Sequence, residues 1–500
     1  MSRTRDSIRR AFGAVLMAAP RGKALTKAEE KVLRDGRVGH VILFARNVES
    51  PSQLVKLTKQ IRSAAPGRCL IGIDHEGGLV AFGAGAVERG PTALALGATE
   101  SAPLARKWGR YYGAAFRACG VDVVFAPVLD VLSPEGGEVI GTRAFGSKPA
   151  RVAKLGEAMR RGLEAGGVLT CVKHFPGHGG VVADSHLTRP RDERPLARWT
   201  HRDLVPFRAA IRAGARSVMV AHLEAPALGA SDTPASASKA VLHDLLRERL
   251  AFHGIIVSDA IDMKAYEPSL LRASLLAGVS LFPTGGTLRD AAALGSKTAD
   301  DCRDDGDAHW HLARSAMEIG KWAGSAAGKA PRARAKKPPV PAMPGPAGIA
   351  RQGRAAPTLT PDAGILLLPD ALGGRISLPI DAGHVRNERG KVWMRRHVRV
   401  YPFDPGAGER RKLLRALPPG EPVTLALAHR GKPPAGQIAL LEALRSEGRL
   451  GCAVSLLDPH DLMARPEVGY RLHTFDPGPE ALRHLVKILA GEAKPAGKLP

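Results

Sequence analysis

Short apolar runs recur through the first 285 residues, and amphipathic segments separate them. There are eight runs: "GAVLMA" (13–18), "HVILFA" (40–45), "CLIGID" (69–74), "VDVVFAPVLD" (121–130), "GVLTCVKH" (167–174), "SVMVAH" (217–222), "GIIVSD" (254–259) and "GVSLFP" (278–283). Runs of this length, rich in β-branched residues, predict strands that are buried on both faces of a parallel sheet. Between them, segments such as "ARVAKLGEAMRRGLEAGG" repeat apolar residues at helical spacing and stop at glycines. The pattern predicts an α/β fold whose first part is a (β/α)₈, TIM-like barrel.

Polar residues that carry chemistry fall at the ends of these runs. They are Asp74, Asp130, Lys173, His174, His222 and Asp259. Because the active site of such a barrel lies at the carboxyl ends of its strands, this shared position predicts an active site at the mouth of the barrel.

The composition changes after about residue 300. Residues 325–356 hold seven basic residues, no acidic residue and many prolines, which is typical of a linker. Apolar runs resume in residues 357–500 ("GILLLP", "VTLALAH", "GCAVSLL"). We therefore expect a barrel domain over 1–300, a basic linker over 325–356 and a smaller α/β domain over 357–500, in which we find no catalytic group.

Charge and cysteine content narrow the classes of function. The net charge of +25 is spread over both halves, with 42 basic and 28 acidic residues in 1–300, and no basic motif contains interleaved aromatic residues. This favours a generally basic surface over specific nucleic-acid binding. The five cysteines form no CxxC pair, which argues against a disulfide framework and predicts a cytoplasmic protein. We read the N-terminus as the first strand rather than a signal peptide, and predict no membrane span.

The stretch "KHFPGHGGVVADSH" (173–186) contains three histidines. His174 and His178 are four residues apart, but the Pro-Gly between them rules out a helix that would present both to one metal ion. Asp184 could orient His186 as in an acid/base dyad, and the preceding glycines would then suit a mobile loop. The alternative is a surface turn in which Asp184 caps the next element.

Asp259 ends the seventh run, so its carboxylate should point into the barrel mouth. It could act as a nucleophile or base, or merely cap the following helix. A carboxylate nucleophile needs a proton donor across the site, as in retaining glycoside hydrolysis, and His186 could be that donor.

These motifs resemble family 3 glycoside hydrolases, and among them bacterial β-N-acetylhexosaminidases that release GlcNAc from peptidoglycan fragments. The resemblance covers about residues 10–290 in order. It rests on "KHFPGHGGVVADSH", "GIDHEGGLV", "FAPVLDV", "GTRAFGS", "VMVAHLEAP", "GIIVSDAIDMKA" and "VILFARNVESPSQL".

The resemblance implies a retaining exo-glycosidase that hydrolyses terminal β-linked GlcNAc and needs no metal or organic cofactor. Asp259 would be the nucleophile, and His186, polarised by Asp184, the general acid/base. The residues that would hold the terminal sugar are Asp74, Arg143, Lys173 and His174. His222 either lines the same pocket or is a core histidine, and Asp130 is interpreted as a structural acid at the rim.

Three positions depart from the family pattern. Leu79 replaces the usual arginine after "DHEGG", Ala260 replaces a second aspartate after the nucleophile, and Ser280 stands where an acidic residue is common. With these three differences, the enzyme could have a lower activity than the family or prefer another sugar. The alternatives are a different β-glycosidase, a phosphorylase of the same family, or a non-catalytic protein that binds sugars or muropeptides.

Overall fold

The computed structural model describes residues 5–133, 139–181, 189–327, 339–341, 350–353, 365–369, 398–429, 433–457, 460–476, 479–489 and 493–499.

The strands are short and mostly buried. They are β1 Leu16–Ala19, β2 His40–Leu43, β3 Ile71–Ile73, β4 His75–Gly77, β5 Val80–Ala81, β6 Val123–Val124, β7 Leu169–Thr170, β8 Val172–Phe175, β9 Ser217–Val220, β10 Ile255–Ser258, β11 Phe282–Thr287, β12 Ala350–Gly353, β13 Ile365–Pro369, β14 Val398–Tyr401, β15 Val423–Leu427, β16 Leu450–Ser455 and β17 Tyr470–His473.

Helices alternate with the strands. They are α1 Arg5–Gly13, α2 Lys27–Arg34, α3 Pro51–Ala64, α4 Ala93–Thr99, α5 Ala102–Ala118, α6 Pro149–Ala165, α7 Leu196–Arg198, α8 Leu204–Arg212, α9 Leu270–Ala277, α10 Leu288–Asp301, α11 Gly306–Ala327, α12 Ala407–Ala416, α13 Ala435–Ser446, α14 His460–Met463 and α15 Pro479–Leu489. Two further segments, Trp199–Asp203 and Ala240–Arg249, are helical with π-type hydrogen bonding. None of the helices in these described ranges is long and apolar enough to cross a membrane.

The N-terminal strands form two parallel sheets. The first has the order β11-β1-β2-β3-β6-β7 and the second β10-β9-β8. Residues 169–175 link them, since this run supplies β7 to one sheet and β8 to the other. On the far side a parallel bridge joins Val257 to Leu281. Seven of the eight predicted runs overlap one strand each, and the run 167–174 overlaps two, β7 and β8. This confirms the α/β prediction, although the strands form two linked sheets rather than one continuous sheet.

The chain divides into two units. The first comprises residues 1–90, 102–131 and 148–341, and the second comprises 91–101, 132–147 and 342–500. The second unit contains a six-stranded sheet of order β12-β17-β16-β15-β13-β14, parallel except for β12 against β17. Two short stretches from the N-terminal half therefore belong to the unit that is built mainly from the C-terminal part, which the sequence pattern did not indicate.

A small apolar cluster ties these stretches into the second unit. Leu94, Ile140 and Phe475 are all buried in it. Thr92 caps α4 and also donates its hydroxyl to the Phe475 carbonyl at 2.6 Å. The Asp476 carboxylate accepts the Thr92 N–H at 3.2 Å. Local helical periodicity predicts that α4 has an apolar face, but not which core that face joins.

Candidate active site

Two carboxylates and an ammonium come together in the first unit, from Asp74 after β3, Glu76 on β4 and Lys173 on β8. Lys173, on β8, places its Nζ 2.5 Å from Asp74 Oδ1 and 2.7 Å from Glu76 Oε1. The Lys173 and Glu76 side chains are each 3% exposed, and that of Asp74 is 16% exposed. Buried charges persist when they are paired in this way, so Lys173 fixes both carboxylates.

Sequence analysis did not identify Glu76 as part of the site. Side chains in an extended chain alternate between two sides, so Asp74 and Glu76 project together, and His75 projects the opposite way. His75 packs edge-on against Tyr112 and Phe116, with ring centroids 4.8 Å away in each case. Burial lowers the pKa of His75 to about 3. In the sequence, its spacing of two residues from Asp74 could have identified Glu76 as a site residue.

Asp130 organises the start of the histidine-rich stretch. Its carboxylate accepts a hydrogen bond from His174 Nδ1 at 2.6 Å and another from the His178 backbone N–H at 2.6 Å. Burial alone would raise the pKa of the Asp130 carboxyl, but its contacts with His174 and His178 outweigh that effect and lower the pKa below its usual range. Because an ionised carboxylate only accepts, Nδ1 of His174 carries the proton, which orients its ring.

We predict that Asp130→Asn destabilises the protein in a pH-dependent way. Loss of this buried acceptor should lower the free energy of unfolding at pH 7 by about 3 kcal/mol or more. Since the pKa of Asp130 is lowered by folding, its contribution is present above its usual pKa and is lost as the pH falls through the lowered value. The difference from the wild type should therefore be constant from about pH 8 to pH 5 and shrink below about pH 4.

Urea unfolding at a series of pH values measures this difference. Asp35→Asn is the matched control, because Asp35 pairs with Lys31 on an exposed helix surface and its loss should change stability little. An Asp130→Asn variant as stable as the wild type at pH 7 would contradict the assignment.

Asp259 follows β10 directly and is partly buried. Its Oδ1 accepts the Ala260 N–H at 2.8 Å, and its own N–H donates to the Val220 carbonyl at 2.9 Å. Burial would raise the pKa of the Asp259 carboxyl, but His174 above all, together with the Ala260 amide and Lys173, brings the pKa below its usual range. Asp259 is therefore an ionised carboxylate near Lys173 and His174. Ala260 supports it through its backbone, so the loss of a second carboxyl side chain leaves this hydrogen bond intact.

His222 lies beside this carboxylate and is fully buried. Its Nε2 is 3.2 Å from the Ala260 carbonyl and its Nδ1 is 2.7 Å from Ser236 Oγ. A carbonyl only accepts, so Nε2 is the donor, and the neutral ring accepts the Ser236 hydroxyl proton at Nδ1. Burial lowers the pKa of His222, in agreement with a neutral ring. Both nitrogens are thus bonded within the protein, which gives His222 a part in holding Ala260; its contact with a sugar stays a prediction.

Three predicted site residues remain, namely Arg143, Asp184 and His186. Arg143 ends the helical turn Gly141–Arg143, in the second unit, and its Nη1 is 3.4 Å from the Val139 carbonyl. Asp184 and His186 lie outside the described residues. Their predicted roles remain predictions of the sequence.

Within the described residues, no three His, Cys, Asp or Glu side chains come together as a metal site would require. His178 is 2% exposed, and neither of its ring nitrogens has a hydrogen-bond partner among the described groups. Its ring instead packs edge-on near that of His174, with centroids 6.2 Å apart.

Known proteins share both the sequence and the fold. The profile "Glycosyl hydrolase family 3 N terminal domain" matches residues 12–281. A β-hexosaminidase of Chromobacterium violaceum is 44% identical over 248 residues, which are 48% of this chain and 69% of that protein. A β-hexosaminidase of Thiobacillus denitrificans is 41% identical over 254 residues, 50% of this chain and 70% of that protein.

Solved structures extend the comparison beyond the first unit. A glycoside hydrolase family 3 β-N-acetylglucosaminidase from Paenibacillus aligns over 98% of both chains, with a TM-score of 0.88 and 26% identity. NagZ from Neisseria gonorrhoeae, in a complex with N-trifluoroacetyl-D-glucosamine, covers 63% of this chain and 98% of its own, with a TM-score of 0.51 and 31% identity. The family profile spans more than half of the sequence and includes the strand ends that carry Asp74, Lys173 and Asp259. The chain therefore belongs to glycosyl hydrolase family 3 and is a glycoside hydrolase.

Proposed function

We propose that this enzyme is a retaining β-N-acetylhexosaminidase that removes terminal β-linked GlcNAc. The observation that carries the proposal is the ionised, partly buried carboxylate of Asp259, set among Lys173, His174 and His222 at the strand ends. A carboxylate that stays deprotonated at neutral pH is what a glycosidic nucleophile requires. The β-hexosaminidase relatives and the GlcNAc-like ligand of the Neisseria protein support the choice of sugar.

In the first half of the reaction, an Asp259 carboxylate oxygen attacks the anomeric carbon of the terminal sugar. The bond from that carbon to the leaving oxygen breaks, and the leaving oxygen takes a proton from His186. This forms a covalent glycosyl-enzyme and leaves His186 neutral. Lys173 and His174, with Asp74, would bind the hydroxyls of the sugar and so fix the anomeric carbon over Asp259.

In the second half, His186 takes a proton from water, and the water oxygen bonds to the anomeric carbon. The bond to Asp259 breaks and restores the carboxylate. Two displacements at one carbon retain its configuration. Asp184 would hold His186 in the tautomer that performs both transfers, which is the usual role of a carboxylate beside an imidazole. The roles of Asp184 and His186 rest on the motif alone.

We also propose that the natural substrates are peptidoglycan fragments and that the enzyme is cytoplasmic. The motif resemblance supports the substrate class. All five cysteines are buried and none forms a disulfide bond, which suits a reducing compartment.

Nitrophenyl β-GlcNAc and nitrophenyl β-glucoside, each with and without phosphate, test this function. We expect release of nitrophenol from the GlcNAc substrate only, with free GlcNAc as the product and no dependence on phosphate. The first-formed anomer, observed by NMR, should be β.

Other outcomes would replace the proposal. Preference for the glucoside would indicate a different β-glycosidase, and formation of a sugar phosphate would indicate a phosphorylase. Binding of GlcNAc without turnover of either substrate would favour a non-catalytic sugar-binding protein, for which Leu79 and Ala260 are the motivating departures.

A further inference from the structure

Helix α11, in the first unit, buries one side and exposes the other. Its inner side is buried through residues that include Leu312, Ile319 and Trp322. On its outer side, Trp310 is 57% exposed and Met317 is 53% exposed, the two highest values among the large apolar side chains that the structure describes. A surface helix normally carries polar residues on its outer side, so two exposed apolar side chains on one helix face indicate a surface that another molecule covers.

Small residues accompany these two side chains. Trp310, Ala313, Met317 and Gly320 are all exposed, and we call these four residues the outward stripe. Their spacing of alternately three and four residues places them on one side of the helix, as at the a and d positions of a coiled coil. The stripe therefore alternates large and small residues. Beside Gly320 the surface is open, because a Cβ there would meet no neighbouring group within 4 Å.

The Trp310 ring is held on this face by its own helix. The guanidinium carbon of Arg314 lies 5.3 Å from the ring centroid, and the His311 ring lies edge-on at 4.9 Å. Arg314 also donates through Nε to Glu318 Oε1 at 2.8 Å. Contacts of this kind restrict the rotamers of an exposed side chain in advance, so less entropy is lost when a partner covers it.

A charge of opposite sign lies at each end of the outward stripe. Asp307 precedes Trp310 by three residues, and Lys321 follows Met317 by four residues. Both charged residues are exposed, and neither forms an ion pair with another residue in the described part of the chain. The helix face is therefore acidic at one end, apolar in the middle and basic at the other end.

We propose that the outward stripe is the interface between two copies of this chain, paired about a two-fold axis that crosses α11 between Ala313 and Met317. The two helices then run in opposite directions. Trp310 of one copy faces Gly320 of the other, and Met317 faces Ala313 of the other copy. Because a two-fold interface uses the same surface of both copies, each contact occurs twice. A bulky side chain thus meets a small residue in every layer, which allows close packing.

The charges favour the same arrangement. Helices that run in opposite directions bring Asp307 of one copy beside Lys321 of the other at both ends of the interface. A parallel pair would instead place equivalent charges at the same level, where they repel. Arg314 lies near the two-fold axis, but Glu318 of its own helix already pairs with it. The surface is thus complementary to itself in shape and in charge, which is the reason to assign it to a second copy.

Sedimentation equilibrium of the full chain tests the interface. We expect a reversible monomer–dimer equilibrium with a Kd on the order of 10 µM, because one helix face forms an interface below the usual size of stable complexes. Met317→Glu should raise Kd by at least about 10-fold, since it buries a carboxylate in the apolar centre. Leu196→Glu is the matched control: Leu196 is 50% exposed but lies on α7, outside the stripe, so Kd should not change.

Gly320→Leu distinguishes this pairing from nonspecific adhesion. The space beside Gly320 is open in a single chain, so the substitution should not disturb folding. It adds exposed apolar surface, which would strengthen nonspecific association. In the proposed pair, however, the leucine collides with Trp310 of the second copy, and Kd should rise by at least about 10-fold. A lower Kd in Gly320→Leu would contradict the proposed pairing.

Reversal of the end charges tests the direction of the helices. Asp307→Lys and Lys321→Asp each place like charges across the interface, and each should raise Kd by about 5-fold or more at low ionic strength. Mixed in equal amounts, the two variants should associate with each other at least as tightly as the wild type, because both end contacts are then between opposite charges. Failure of the mixture to associate would refute the antiparallel arrangement.

The wild type decides whether the interface exists. A chain that remains monomeric over the whole concentration range, or one whose association is the same in all of these variants, would overturn the proposal. None of these measurements uses catalysis, so their outcome is independent of the proposed function.

Discussion

Asp259→Asn should lower kcat on nitrophenyl β-GlcNAc by at least about 10³-fold, because the amide cannot form the glycosyl-enzyme. The same carboxylate lies among Lys173, His174 and His222, and its pKa is below the usual range, so the variant removes a charge that is present at every working pH. KM should change much less than kcat. Steady-state rates, with active protein quantified by its unfolding transition, measure the effect.

Asp244→Asn is the control for this substitution. Asp244 is 57% exposed in its side chain and contacts only His243 among the ion pairs of the described chain. It should keep full activity. A second variant, Asp259→Gly, leaves room for azide on the face that Asp259 occupies, and the product should then be the α-glycosyl azide. Full activity in Asp259→Asn would refute the mechanism without affecting family membership.

The anomeric configuration of the azide product distinguishes loss of the nucleophile from loss of acid/base assistance. An anion that replaces Asp259 reacts once at the anomeric carbon and inverts it. An anion that replaces water in a His186→Ala variant, which lacks the proposed acid/base, reacts with the glycosyl-enzyme and retains the configuration. NMR of the two products therefore reports which group each substitution disabled, independently of how much activity remains.

The strand-end residues were predictable because their position depends on a simple rule. A parallel barrel collects the carboxyl ends of its strands at one face, so an apolar run followed by Asp74, Lys173 or Asp259 places each residue near the others. The rule needs only the run and the residue after it. It predicted neither their hydrogen bonds nor their ionisation, which depend on burial and on neighbours from distant parts of the chain.

Asp130 shows what the rule cannot supply. Its role depends on an imidazole and a backbone N–H that lie more than forty residues away in sequence. In the sequence, Asp130 is one more acid at a strand end, and it was interpreted as a structural acid at the rim of the barrel. In the structure Asp130 is buried and orients His174 through a hydrogen bond. It is therefore both a structural acid and part of the site.

The composition of the second unit was not predictable either. Leu94 and Ile140 have the spacing of ordinary core residues, and nothing local indicates that they pack with Phe475. Hydrophobic periodicity defines which side of an element is buried, whereas the choice of partner is decided by tertiary contacts. The same limitation hid the close packing at Gly177 and Gly180, where an added Cβ would lie 2.8 Å from Asp203 Cβ and 2.2 Å from Arg194 Cζ. A glycine required by a close neighbour and a glycine required for motion look alike in sequence.

Lys173→Met should destabilise the protein and abolish activity together. The substitution removes the ammonium that pairs with the partly buried carboxylate of Asp74 and the buried carboxylate of Glu76. Breaking a buried pair in this way costs about 3–5 kcal/mol in the free energy of unfolding, since the partner charge stays uncompensated. Urea unfolding measures the loss, and Lys31→Met is the matched control: its ion pair with Asp35 is exposed, so it should cost less than about 1 kcal/mol.

The double variant Lys173→Met/Glu76→Gln separates stability from function. Removing one carboxylate relieves the repulsion between the two acids, so part of the lost stability should return. Activity should not return, because Asp74 would still lack the ammonium that holds it and the sugar would lack a hydrogen-bond donor. Equal stability of Lys173→Met and the wild type would show that the two carboxylates do not depend on Lys173. Recovery of activity in the double variant would show that Lys173 supports the fold alone and that the sugar is held by other groups.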